Sequence, residues 1–101
     1  MSKYPNQFVI KNLKETEWID PMSVMIASQT LNGVAFKLFL YLCMMEPQES
    51  AYFSPADFCA RMGVAKSSAH NAFTELIVKK YLVQKKNDLY YFNIPKIEPN
   101  F

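Results

Sequence analysis

The stretch from Ser54 to Ile94 leaves the chain few ways to fold, because residues with fixed backbone consequences mark each of its breaks. Ser54 can cap a helix, Pro55 suits the first helical position, and Asp57 adds negative charge to the first turn. Phe58, Cys59 and Met62 give that short helix an apolar side, and Gly63 supplies the permissive backbone that stops it. Val64 then serves as an apolar plug between two helices meeting at a steep angle. A longer helix is expected to start near Ala65 or Lys66. After it, VQKKNDLYYFNI reads as two strands joined at Asn87-Asp88, residues that tolerate the left-handed backbone of a tight turn.

The longer helix carries Ala69, Ala72, Phe73, Leu76 and Ile77 at the spacing of one buried stripe. Its opposite side holds Ser67, Asn71, Thr74 and Val78, flanked by Ser68, His70 and Glu75. Serine and threonine donate to phosphates, and asparagine pairs bidentately with adenine. A merely solvated face usually carries more Glu and Lys. Short neutral hydrogen-bonding side chains suit close approach to base edges instead.

On these residues, GVAKSSAHNAFTELIVKKYLV resembles the recognition-helix segment of winged helix-turn-helix proteins. That group includes MarR-like regulators and winged-helix domains of plasmid and phage replication proteins. LNGVAFKLFLYL is similar to the first core helix of such domains. The resemblance covers residues 31–94. It implies a mostly α fold with a small β-hairpin, a three-helix core plus a short wing, and an N-terminal extension over residues 1–30. In such domains the second helix of the turn enters the major groove of duplex DNA. Ala65 departs from the pattern, since a capping Ser or Thr is common there; the helix then begins at Ser67 or relies on packing.

Charge is modest overall but uneven. Residues 1–63 hold five Lys/Arg against six Asp/Glu, a balance of −1, while residues 64–101 hold six Lys against three Asp/Glu, a balance of +3. Lys66, Lys79, Lys80, Lys85 and Lys86 are therefore the expected phosphate contacts, although the same lysines also fit an ordinary solvated face. The wing tip is too small for deep insertion into a minor groove. Tyr90 and Tyr91 alternate in the returning strand, one packing inward and the other facing solvent.

The remainder organises around this unit. Gln7 to Lys11 alternates Phe8 and Ile10 as a short strand would, and Asn12 to Glu17 reads as a polar loop. Asp20-Pro21 opens a short helix reaching about Thr30, with Met22, Met25 and Ile26 on one side. Asn32 caps a helix from Gly33 to Met45, and Pro47 prevents its continuation. Ala51 to Phe53 is expected to pair with the wing. Residues 95–101 form a tail that Ile97 and Phe101 can dock.

The helix from Gly33 is apolar almost all round, with Lys37 its only charge. Val34, Leu38, Leu42 and Met45 suit the core, leaving Phe36, Leu40 and Cys43 on the far side with Met44 beside them. A helix apolar on both sides is normally covered on both. The cover is either the N-terminal segment, through Met22, Met25 and Ile26, or a second subunit, with Phe36, Leu40 and Met44 as the candidate dimer interface. A dimer would present two helices to a two-fold operator.

Other function classes fare badly. His70 is the only histidine and two cysteines cannot complete a structural zinc site, so no metal, cofactor or catalytic centre is expected. With two glycines in the chain there is no Gly-rich phosphate loop. No apolar run approaches the roughly 18 residues that span a bilayer, and MSKYPNQF lacks the apolar block of a secretion signal. Buried free thiols in a reducing cytoplasm are the simplest expectation for Cys43 and Cys59. The leading function is sequence-specific duplex DNA binding by a small transcriptional repressor or a replication-associated protein of a mobile element. The alternative is a winged-helix interaction module that binds a replication or transcription protein, as in a phage-encoded inhibitory assembly.

Overall fold

The computed structural model describes residues 8–14 and 19–94. Along the chain lie β1 (Phe8–Asn12), α1 (Pro21–Thr30), α2 (Gly33–Cys43), β2 (Ser50–Phe53), α3 (Pro55–Met62), α4 (Lys66–Val78), β3 (Leu82–Lys86) and β4 (Leu89–Phe92). Three helix starts follow local capping chemistry. Asp20 accepts from Met22 N, Asn32 Oδ1 from Ala35 N at 2.9 Å, and Ser54 Oγ from Asp57 N at 3.3 Å. Ala65 gives α4 no side-chain cap, yet the helix starts at Lys66 rather than at Ser67, because packing of Ala69 and Phe73 fixes it.

Two helix ends use left-handed backbone. Gly63 closes α3 at φ 66, where glycine escapes the Cβ clash. Lys80 does the same after α4 at φ 72, with Tyr81 N donating to Leu76 O and Lys80 N to Ile77 O. That bond pattern is a Schellman motif, with lysine in the position glycine prefers. We predict that Lys80→Gly raises the unfolding free energy by about 0.5–1 kcal/mol, because relief of Cβ strain outweighs the added freedom of the unfolded chain. Urea denaturation checks this; a loss of stability would show that Lys80 makes a contact worth more than its strain.

The sheet is larger than a wing hairpin. Its order is β2-β1-β4-β3, with β1 antiparallel to β2 and parallel to β4. The chain is thus a small α/β structure of four helices and a four-stranded mixed sheet, not a mostly α fold with one small hairpin. Ala51 to Phe53 does form a strand, but it pairs with β1 rather than with the wing, since β1 lies between them. The reason is visible in β1 itself: Phe8 and Ile10 are fully buried, and such a face is best covered in the middle of a sheet.

Helices α2, α3 and α4 cover one face of the sheet through an aromatic core. Phe73 of α4 stacks on Phe8 at 4.8 Å and on Phe53 at 6.1 Å, and meets Tyr90 edge-on. Phe39 of α2 meets Phe92 and Tyr81, while Phe58 of α3 meets Phe53. These rings set the helices at fixed heights above the strands.

Asn12 ties the end of β1 to the connector after α2, although the polar stretch it begins reads as open loop. It is fully buried; its Nδ2 donates to Met45 O and Glu46 O, and its Oδ1 accepts from Lys14 N. The rest of that loop, Glu15 to Glu17, lies outside the described residues, as do Gln7 and the expected docking of Ile97 and Phe101.

Around α2 the expected facing is partly rotated. Leu38 and Leu42 are buried as expected, but Cys43 joins them with Ala35 and Phe39, and the helix ends there rather than at Met45. The far side is narrower as a result. α1 contributes Ala27 to the core, with Leu31 just beyond its end; of the expected cover, Ile26 is half-buried while Met22 and Met25 are about half exposed.

Candidate nucleic-acid interface

The outer face of α4 is held in place from behind. Phe73 and Leu76 fasten the helix to the sheet and to the core. Glu75, the only acidic residue of α4, turns toward α2, where its carboxylate accepts from Asn32 N and Asn32 Nδ2, each at 2.8 Å. Asn32 thus joins the two helices while capping one of them. The sequence placed Glu75 beside the outward side; nothing local in it shows that a partner 43 residues away would draw it inward.

With Glu75 engaged, the outward surface of α4 is polar and neutral. Ser67, Asn71 and Thr74 are all exposed, as is His70, and Ser68 is half-buried. Ser67 and Asn71 are i and i+4, and Asn71 and Thr74 are i and i+3, so their side chains are neighbours about 5–6 Å apart at Cβ. The row from Ser67 to Val78 is about 16 Å long at helical rise. Val78 is also exposed and ends the polar row with an apolar side chain.

Basic groups flank this row. Lys66 lies at the start of α4, Lys79 and Lys80 at its end, and Lys85 and Lys86 on the hairpin; all five are exposed. Arg61 pairs with Asp57 at 2.9 Å, one turn apart on α3. Among the described residues no carboxylate forms an ion pair with any of the five lysines. Lys85 Nζ sits 5.3 Å from the centroid of the Tyr91 ring.

The hairpin reaches its turn by a route the sequence did not specify. Asn87 and Asp88 suit a left-handed turn, yet among the described residues the positive-φ positions other than glycine are Gln48 and Lys80. The strand register shifts between Gln84 and Lys86 instead, leaving Lys85 as an extra residue. Such a bulge adds the twist that an ordinary turn would otherwise lack. Tyr90 is buried and Tyr91 half-exposed, as their alternation predicts.

The candidate dimer residues separate. Phe36 is half-buried, with its ring 6.0 Å from that of Phe39, whereas Leu40 and Met44 are exposed. Both cysteines are free thiols, Cys43 buried and Cys59 half-buried. Burial pushes the Cys43 thiol up from 9.0 to about 11 against a smaller opposing pull from Lys14, which favours the neutral thiol at neutral pH. Burial and then Cys43 also raise the Tyr81 hydroxyl.

Comparison of the chain with protein-family models, curated proteins and solved structures found no match. None of the described helices is long and apolar enough to cross a membrane.

Proposed function

We propose that this chain binds duplex DNA in a sequence-specific way, as a small winged helix-turn-helix regulator or replication-associated protein. In this reading α4 enters the major groove and the β3–β4 hairpin rests on neighbouring phosphates. The observation that supports it best is the outer face of α4, where Ser67, Asn71 and Thr74 are exposed together and Glu75 is held away. Asn71 is the base-reading candidate; Ser67, Ser68, Thr74 and His70 contact base edges or nearby phosphates. Lys66, Lys79, Lys85 and Lys86 supply the sequence-independent attraction.

Salt dependence tests the lysine roles. Removing Lys85 and Lys86 together should weaken every duplex to a similar degree and reduce the slope of log affinity against log salt by about 2, one for each phosphate left without its lysine. An unchanged slope would remove the hairpin from the interface.

A second reading has its own support. Met44 is 82% exposed, and a groove of about 600 Å³ opens beside it, lined by Tyr41, Met45, Tyr52 and Met62 among others. A protein partner, or a second copy of this chain meeting Leu40 and Met44, suits that apolar surface. Such binding would resist salt, whereas DNA binding would not.

A further inference from the structure

The sheet has a second face, which the helices do not cover. Strand residues alternate sides, so the partners of Val9 and Lys11 lie opposite the buried set of Phe8 and Ile10. The register sets Val9 between Tyr52 and Leu89, and Lys11 between Ser50 and Tyr91. None of these six belongs to the hydrophobic core: Ser50 and Tyr52 are exposed, Tyr52 to 77%, while Val9, Lys11, Leu89 and Tyr91 are half-buried. Lys85 reaches the same side, since its ammonium lies over the Tyr91 ring. Two rings, one exposed and one half-buried, and two lysines therefore share a face that no described helix covers, and its strands contribute no carboxylate to it. The nearest acidic residues along the chain stand at strand ends: Glu49, whose Oε2 accepts from Glu46 N, and Asp88 in the hairpin turn.

We propose that this open face binds single-stranded DNA, with bases stacking on Tyr52 and Tyr91 and phosphates meeting Lys11 and Lys85. Every base offers a π-face to an exposed aromatic ring, and a positive surface attracts the backbone. The two tyrosines stand two strands and two residues apart, about 12 Å by strand spacing and rise. That greatly exceeds the roughly 3.4 Å stacked rise per nucleotide, so the strand crosses the sheet with its bases unstacked. A duplex keeps its bases stacked inside and cannot use these rings. A second copy of the chain is disfavoured by charge, because two such faces would oppose lysines to lysines. The single-strand chemistry does not involve α4; Lys85 serves in both readings, and the choice of DNA over RNA rests on the function proposed above.

The test is fluorescence anisotropy at low salt with labelled oligothymidylate and oligouridylate, each about twelve nucleotides long. Wild type should bind oligothymidylate. Tyr52→Ala should weaken it about tenfold, Tyr52→Phe should restore it, and Lys11→Gln should weaken it while flattening its salt dependence. Because Tyr52 is so exposed, Tyr52→Ala should keep the wild-type thermal midpoint, which separates lost stacking from unfolding. Asn71→Ala should leave oligothymidylate binding intact, so failure of the α4 reading and failure of this one are distinguishable. Absence of binding at low salt, or equal binding by Tyr52→Ala, overturns the proposal. Tighter binding of oligouridylate overturns its assignment to DNA. A dimer in sedimentation that Tyr52→Ala dissolves and Met44→Ala does not would give the face to a second copy and overturn it as well.

Discussion

Replacing Phe8 with alanine is expected to lower the unfolding free energy by about 3–5 kcal/mol, a large part of the total for a domain this small. Phe8 lies only 1% exposed in a strand flanked on both sides, and its ring stacks on Phe73 while meeting Tyr90 edge-on. Truncation removes one ring of a contiguous aromatic core and leaves a cavity beneath α4 that the flanking strands cannot close. Urea unfolding followed by circular dichroism measures the loss. Val9→Ala, one residue along on the open face, should cost less than about 1 kcal/mol in the same assay. A similarly small loss for Phe8→Ala would mean that β1 is an accessory to the fold rather than its middle strand. The result bears on function too, because Phe73 is the residue through which the sheet positions α4.

Asn12→Leu is expected to cost about 3 kcal/mol although it adds apolar bulk to a buried site. The side chain of Asn12 satisfies two carbonyl oxygens and one backbone N–H, and leucine can satisfy none of them. Its main chain is also engaged, with Asn12 N donating to Glu49 O and Gln48 N to Asn12 O. The connector between α2 and β2 is therefore folded around this one residue. The same denaturation series reports the effect, and a stable Asn12→Leu variant would show that water replaces the lost bonds at little cost.

What the sequence revealed, and what it concealed, divides by the range of the interactions. α3 was legible from end to end because Ser54, Pro55 and Gly63 act on their immediate neighbours. α4 was legible because Ala69, Ala72, Phe73 and Leu76 form one stripe, and its exposed polar row followed from the same phase. α2 was legible at its start, which Asn32 caps, but not in its end at Cys43 or in its facing: an almost uniformly apolar helix carries no phase, and Cys43 accordingly turned inward. The place of β1 was hidden for another reason. Alternation of Phe8 and Ile10 predicts a strand, but no local signal pairs Ile10 with Tyr90 at the other end of the chain. The candidate site was legible as a set of residues on α4 and the hairpin, while the inward turn of Glu75 and the bulge at Lys85 depend on tertiary partners.

Selection from a random pool of duplex DNA, at low and at high salt, with wild type and Asn71→Ala side by side, tests the proposed function most directly. Wild type is expected to enrich a motif that is lost at high salt. Asn71→Ala is expected to relax preference at one position, with a loss of about 1–3 kcal/mol there. Failure to retain any duplex at low salt, or recovery of the same motif by Asn71→Ala, would contradict it.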